Sequence, residues 1–451
     1  GSKTWMKLGA RSDGTLVAGD VRFDFEAGAY RGSAVTAAVM TAFSAYRLTN
    51  FRIEGFDIVV NKPKVAPYRA PGAPNAAFAT ESLIDELARK LGRDPIELRL
   101  QNASQEGDRT TYGPVFGPIG HREVLEAARA HPHWKAPLGE HQGRGIASGW
   151  WFNAGMQSSA TVSVNDDGSA VVRTGNPDIG GSRASMALMV AEELGIPVER
   201  VRPVVGDTDS VGYCDTTGGS RTTYATGLAV IEASRQVVEH LRARAATIWD
   251  VELDAVDWRE GAAVLVNGRS DEKALPFEEL TKQMRATGGP IVASASVNPP
   301  AAAPAFGVHL CDVEVDPETG VTKVVRYTVV QDAGKAVHPT YVEGQFQGGA
   351  AQGIGWALNE EYLFDEQGRL ENPGFLDYRM PVASDLPMID TVIVEVPNPL
   401  HPYGVRGVGE TSIVPPLAAV ANAVRDATGV RFPRLPLTPP CVLEGIERAR
   451  A

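Results

Sequence analysis

Between Gly404 and Ser412 the chain reads Gly-Val-Arg-Gly-Val-Gly-Glu-Thr-Ser, a glycine-rich stretch that delivers one carboxylate. Three glycines within six residues let the backbone adopt positive φ and approach another molecule closely, and Glu410 at the end of the turn is placed as a general base would be. A plain tight turn ending in an acid gives the same pattern. The spacing is Gly-x-x-Gly-x-Gly, which differs from the Gly-x-Gly-x-x-Gly of a dinucleotide loop.

Four other stretches carry polar chemistry. Arg69 sits in Val65–Asn75, where three prolines and a glycine stiffen the loop; it is either a surface charge or a guanidinium held ready for an anion or a substrate oxygen. Ile179-Gly180-Gly181-Ser182 joins a strand to a helix N-terminus, an arrangement whose free N–H groups suit phosphate. Thr216–Thr223 combines hydroxyls, Gly219, Ser220, Thr222 and the planar cation of Arg221 ahead of a long helix, which suits a polar, phosphate-bearing ligand such as a pterin or nucleotide. Gln345 opens a helix with five glycines between 344 and 355, and each glycine costs that helix roughly 1 kcal/mol against alanine. A closely approaching cofactor explains them; tight helix packing is the alternative.

The elements that must position these groups alternate between the two periods. Thr15–Phe25 and Phe51–Val60 alternate as strands around a small-residue helix at Ser33–Ser44. Asn75–Lys90 has helical spacing with Gly92 as its stop, and Asp94-Pro95-Ile96-Glu97 caps the next helix. A Pro/Gly linker follows the helix His121–His131, and a boundary near 138 divides the chain into 1–138 and 139–451. Trp150-Trp151-Phe152 then opens a β-rich region; one strand cannot bury all three rings on one face, so a pocket or interface takes at least one. The strand Thr391–Val396 and the helix Pro415–Ala427 bracket Glu410, placing it on a loop between anchored elements.

Composition narrows the class. At 451 residues, 43% hydrophobic and 22% charged, the chain has the profile of two or three globular domains. Lys plus Arg number 43 against 55 Asp plus Glu, and the net charge of −12 argues against a nucleic-acid or anionic-membrane partner. No apolar run reaches 18 residues and no signal-peptide pattern opens the chain, so a cytoplasmic location is expected. Cys214, Cys311 and Cys441 are scattered and can build neither a disulfide framework nor an iron–sulfur site. His131 and His133, the one close His pair, read as a solvated turn rather than a metal site. No Walker Lys-Ser/Thr or Gly-x-Ser-x-Gly elbow is present.

Taken together, Tyr68-Arg69-Ala70-Pro71-Gly72, Asp178–Ser182, Thr217–Thr223, Glu343-Gly344-Gln345…Gln352-Gly353, Gly407–Glu410 and Leu435-Pro436-Leu437-Thr438-Pro439 resemble, in order and spacing, the molybdopterin-binding subunit of the xanthine dehydrogenase/aldehyde oxidase family of molybdenum hydroxylases. The resemblance implies an α+β fold of two elongated domains with a molybdenum cofactor near their interface. It implies that Glu410 is the base in water-derived hydroxylation of an N-heterocycle or oxidation of an aldehyde, and that Arg69 orients or polarises substrate. Ile179, Gly180, Gly181, Ser182, Gly219, Ser220, Arg221, Thr222 and Gln345 would hold molybdopterin, in its cytosine dinucleotide form, with the metal bound by the pterin dithiolene and by no protein ligand. Trp150 and Trp151 would lie at the substrate pocket. A [2Fe–2S] chain, an FAD chain and a polypeptide carrying the family's further N-terminal region are the expected partners. Asp178–Ser182 departs from many relatives in lacking a Gln between the glycines. A catalytically silent cofactor-binding scaffold of such a complex is the alternative.

Overall fold

The computed structural model describes residues 1–266 and 274–451. Alternating β-formers at the start produce β1 (Ser2–Ala10), antiparallel to β2 (Leu16–Gly28). After α1 (Val35–Thr41) the chain returns as β3 (Asn50–Val59), parallel to β2. Val21, Phe23 and Phe25, on the inward face of β2, pack on Ala38 and Phe43. The helix α1 is shorter than the expected Ser33–Ser44: the Thr41 and Ser44 hydroxyls bond back to the carbonyls of Ala37 and Met40, a competition that weakens helix ends.

Next come α2 (Ala73–Leu91), closed by Gly92 in the left-handed region, and α3 (Pro95–Asn102), capped by Asp94 through the N–H groups of Ile96 and Glu97. Glu81 of α2 is buried and meets Arg99 of α3 at 2.9 Å, the Tyr46 hydroxyl at 2.5 Å and the Ser148 amide at 2.8 Å. Ser148 belongs to the strand that opens the second half, so this buried carboxylate joins the two halves.

The helices α4 (His121–Ala130) and α5 (Pro132–Lys135) lead into β4 (Gln142–Asn153). His131 and His133 serve separate structural bonds: His131 accepts from the His133 amide at 3.3 Å, and the buried His133 ring meets Thr328 Oγ1 at 2.7 Å and Asp312 at 3.1 Å. His133 is therefore part of the interior, not of a solvated turn.

A sheet of order β11-β5-β6-β7 follows, built from β5 (Ser158–Val164), β6 (Ala170–Thr174), β7 (Val201–Val205) and β11 (Ile291–Val297). It carries α6 (Ser182–Leu194) and the long α7 (Gly227–Trp249); β8 (Val256–Arg259), β9 (Ala262–Leu265) and β10 (Ala274–Pro276) form a small sheet beside α8 (Phe277–Lys282) and α9 (Met284–Thr287).

The last sheet pairs β4 with β12 (Ala302–Val315), β12 with β13 (Thr322–Asp332), and β13 with β14 (Ile389–Val394), the last pair parallel because α10 (Pro339–Leu358) intervenes as a crossover. Alanine-rich α11 (Pro416–Thr428) lies on β4 and β12, and α12 (Pro439–Arg450) closes the chain. Helices and mixed sheets without a barrel make this an α+β fold. No helix among the described residues is long and apolar enough to cross a membrane.

Glycines in β4 allow the close seating of α11. A Cβ at Gly143 would come within 2.2 Å of the Ala427 amide nitrogen, and one at Gly145 within 2.1 Å of the Ala419 carbonyl oxygen. Gly145→Ala should lower stability by about 1–3 kcal/mol through overpacking, read as a fall in urea midpoint at unchanged slope; an unchanged midpoint would refute the contact.

Burial holds His121 and His309 at about 3 and His401 at about 4, with Arg99 adding to the effect on His121 and Arg235 on His401. The unfolded chain binds protons at all three from pH 6.5 downward while the folded chain does not. This contribution to stability is thus complete above pH 6.5 and lost as pH falls towards 3. By pH 5 each histidine should cost about 2 kcal/mol. Urea unfolding at pH 7.5 and 5.0 measures it, and equal stabilities at the two values would contradict it.

Candidate active site

Glu410 sits where its flanking elements predict, after β14 and before α11. The Ala70 amide donates to its Oε1 at 3.1 Å, while Trp151 Nε1 and Ser220 Oγ donate to Oε2 at 2.8 and 3.0 Å. Its own amide donates to Ser220 Oγ at 3.1 Å. Three segments far apart in sequence thus converge on one carboxylate. The glycines before it act through space as much as through torsion: Gly404 has φ of 75°, whereas Gly407 is needed because a Cβ there would lie 1.8 Å from the Ser220 carbonyl oxygen.

Strand alternation separates the two tryptophans. Trp151 faces the site and stacks on Phe152 with ring centroids 4.2 Å apart. Trp150 points the other way into the core, stacked on Phe306 at 5.9 Å, and does not line the cavity. Its expected place at the pocket is corrected by the period of two.

The site opens on a cavity of about 830 Å³. Tyr68, Trp151 and Phe152 line it together with the two glycine- and hydroxyl-rich loops and Gln345. Ile179 is exposed towards the opening, Gly180 and Gly181 have φ of 64° and 77°, and Ser182 starts α6. Gly180 lies so close to Gln345 that a Cβ would fall 2.5 Å from its Nε2. In the second loop Gly219 and Ser220 both take positive φ, at 68° and 53°.

Arg221 does not face the ligand space. Its guanidinium is buried and donates to the carbonyls of Gly155 (2.7 Å), Asp215 (3.0 Å), Met156 (3.3 Å) and Gln157 (2.6 Å) and to Ser158 Oγ (2.6 Å), so it braces the loop from behind. The turn after it, Thr222–Thr226, is π-helical, a widened turn common at functional sites. Thr222 lines the cavity, and its buried Oγ1 has no hydrogen-bond partner among the described residues. An unpaired hydroxyl on a cavity wall awaits an acceptor or donor from a ligand. With the open glycine backbone and the helix N-terminus, it fits the polar end of a pterin-type group.

Arg69 reaches across the floor of the site. Its Nε donates to the Gly409 carbonyl, Nη1 to Gln352 Oε1 at 2.9 Å, and Nη2 to the Gln345 carbonyl at 3.0 Å, with Gln345 Oε1 and Ser412 Oγ at 3.2 and 3.3 Å. Burial lowers its pKa, with Tyr68 and Glu410 opposing that shift.

The glycines of α10 have a different cause from the one expected. A Cβ at Gly349 would meet Ser412 Oγ at 2.0 Å and one at Gly353 the Pro416 Cβ at 2.4 Å, whereas Gly344 has open space. Close packing of α10 on the segment after Glu410 explains Gly349 and Gly353; Tyr341, Val342, Gln345 and Gln352 present that helix to the cavity.

Residues the sequence did not reveal complete the frame. Asn153, fully buried, accepts from the Gly407 amide at 2.9 Å and donates to the Ser220 carbonyl at 2.9 Å. Behind it Arg406 pairs with Asp332 at 3.1 Å, both without solvent access, and donates to the carbonyls of Val396, Pro304 and Pro118. Burial pushes Asp332 up to about 6 against the pull of Arg406 and the Gly334 and Val396 amides. No local motif marks either group; an Asn after three aromatics and an Asp at a strand end are ordinary in sequence.

Comparison with known proteins agrees with this geometry. Two family models, each described as a molybdopterin cofactor-binding domain, match residues 1–103 and 122–387. The xanthine dehydrogenase molybdenum-binding subunit of Escherichia coli O157:H7 is 33% identical over 456 residues, covering 96% of this chain and 60% of that protein. The aldehyde oxidoreductase of Megalodesulfovibrio gigas is 30% identical over 466 residues, covering 98% of this chain and 48% of its own length. The crystal structure of quinoline 2-oxidoreductase from Pseudomonas putida 86 superposes with a TM-score of 0.88 at 26% identity, covering 99% of this chain and 62% of that one. The chain spans 48–62% of the length of these three proteins. By sequence model and by fold, it belongs to the molybdopterin-binding subunits of the xanthine dehydrogenase/aldehyde oxidase family of molybdenum hydroxylases.

Proposed function

We propose that this chain is the cofactor-bearing part of a molybdenum-dependent hydroxylase or dehydrogenase that hydroxylates an N-heterocycle or oxidises an aldehyde, with Glu410 as general base. The observation that carries the reading is the Glu410 carboxylate, fixed by donors from Ala70, Trp151 and Ser220 on the wall of a cavity that the two glycine- and hydroxyl-rich loops also line. Residues 1–138 contribute Tyr68, Arg69 and Pro71 to that wall and residues 139–451 the loops, in keeping with a site between two units.

When bound, the molybdenum–pterin group supplies the two-electron redox chemistry. Ile179, Gly180, Ser182, Gly219, Thr222 and Gln345 would hold it, with Gly181 and Arg221 shaping the loops from outside the cavity wall. The aromatic faces of Tyr68, Trp151 and Phe152 would exclude water and hold a planar substrate over the site. Glu410 would take a proton at a carboxylate oxygen. The Trp151 and Ser220 donors that already hold Oε2 set its orientation, so proton transfer needs no search among rotamers.

Cytosine dinucleotide as the form of the cofactor, with a [2Fe–2S] chain and an FAD chain as electron carriers and the cytoplasm as location, completes the proposal. Relatives named as the gamma subunit of the 6-hydroxypseudooxynicotine dehydrogenase complex and as the large chain of carbon monoxide dehydrogenase support a multi-chain assembly.

Glu410→Gln keeps the shape of the side chain and removes the base. In the assembled complex, turnover should fall by roughly 10²–10⁴ while molybdenum and released cytosine nucleotide stay at wild-type amounts. Near-normal turnover would sink the assignment of Glu410, and a metal-free, nucleotide-free complex that still turns over would sink the reading as a whole. Gly407→Ala should push the Ser220 loop off Glu410 and lower turnover on the order of 10²-fold, with the circular dichroism of a folded chain; full activity would mean the contact is not needed.

A further inference from the structure

The family resemblance gives Arg69 to the substrate. The distances give it to the protein. An arginine has five N–H donors, and the Arg69 nitrogens are directed at the Gly409 carbonyl, Gln352 Oε1, the Gln345 carbonyl and side chain, and Ser412 Oγ. Only the second N–H of Nη1 lacks an acceptor among the described residues, and that nitrogen lies 3.7 Å from where a Cβ on Gly348 would stand, against α10. A guanidinium committed in this way has little left for a substrate oxygen.

What the commitment achieves is visible in the next residue. Ala70 has φ of 48°, a left-handed conformation that is uncommon for a residue with a side chain, and its N–H is the donor to Glu410 Oε1. Arg69 grips the carbonyl of Gly409, the residue before Glu410, while Ala70 grips the Glu410 carboxylate. The Tyr68–Pro71 loop therefore clasps the Gly407–Glu410 loop at two adjacent points. Ser412 Oγ donates in turn to the Gln345 carbonyl at 3.0 Å, which ties the far side of the same loop to α10.

We propose that Arg69 is a positioning residue: its planar fork locks the loop carrying Glu410 onto α10 and holds Ala70 in the conformation that presents its amide to the carboxylate, and it does not bind substrate. This rests on Glu410 acting as the base. A lysine cannot replace Arg69 in such a role, because a point charge on a flexible stem cannot span Gly409, Gln352 and Gln345 at once. In a substrate-binding role, lysine would keep much of the attraction.

The test compares Arg69→Lys, Arg69→Met and Gln352→Met in the assembled, cofactor-loaded complex. Expected is a kcat lower by on the order of 10²-fold in both Arg69 variants, by a smaller factor in Gln352→Met, and a KM within about twofold of wild type in all three. Hydrogen exchange supplies a readout independent of turnover. Peptides covering 68–72 and 404–412 should lose protection together in the Arg69 variants, while the β12 peptide stays protected.

A KM raised tenfold or more in Arg69→Met and restored in Arg69→Lys would overturn the proposal in favour of substrate binding. Unchanged exchange at 404–412 would overturn it as well. Should an Arg69 variant fail to fold, Gln352→Met decides alone, by whether kcat falls and exchange at 404–412 rises. If exchange behaves as expected but Glu410→Gln stays active, the clasp stands and the assignment of the base fails, so the two outcomes are separable.

Discussion

The site depends on an ion pair that sees no water. Asp332 closes β13 and Arg406 lies four residues before Glu410, so their contact pins the loop bearing Glu410 to the end of β13. A buried pair of this kind adds little net stability, since desolvation offsets the attraction, but losing one partner typically costs 3–5 kcal/mol because the other is stranded. Arg406 also satisfies carbonyls from 118, 304 and 396–397, which makes it the hub where three chain segments meet behind the cavity. The loop bearing Glu410 is rich in glycine yet held in place. Its glycines permit close contact, and the buried charge fixes where that contact occurs.

Close approach recurs as the organising device. Gly407 admits the Ser220 backbone, Gly349 and Gly353 let α10 press on the segment after Glu410, and Gly143 and Gly145 let α11 lie on β4. Each pairing removes the space a methyl group would occupy and brings backbone polar groups within reach of one another. Glu81 and Arg99 act similarly between the halves of the chain, joining α2 and α3 to β4 through Ser148, two residues before the tryptophan pair. Trp151 therefore reaches Glu410 from a stretch of β4 held on either side, by Glu81 at Ser148 and by Asn153.

Much of this was legible in the residues. Period-two alternation located β2 and β3, Asp94 and Gly92 marked the ends of helices, and the motif set from Tyr68 to Glu410 identified the family, because such features depend on residues near one another in the chain. The α+β class followed from the family resemblance that those motifs carry. Boundaries drifted by a few residues where hydroxyl side chains competed for backbone bonds, as at α1.

Several readings changed because their cause lay elsewhere in the chain. Arg221 looked like a ligand contact in its loop, but four carbonyls from 155–157 and 215 turn it inward. Trp150 and Trp151 are equivalent in sequence, and only the sheet pairing of β4 with β12 decides which one faces Glu410. The glycines of α10 suggested a cofactor, but Gly349 and Gly353 are there to admit Ser412 and Pro416. By itself the sequence determined which groups are available: one acid on a glycine turn, two glycine- and hydroxyl-rich loops and a framed arginine. Tertiary structure decided which atoms of those groups are already spent on the protein and which remain for chemistry. Hydrogen-bond donors are finite, and their partners lie hundreds of residues away.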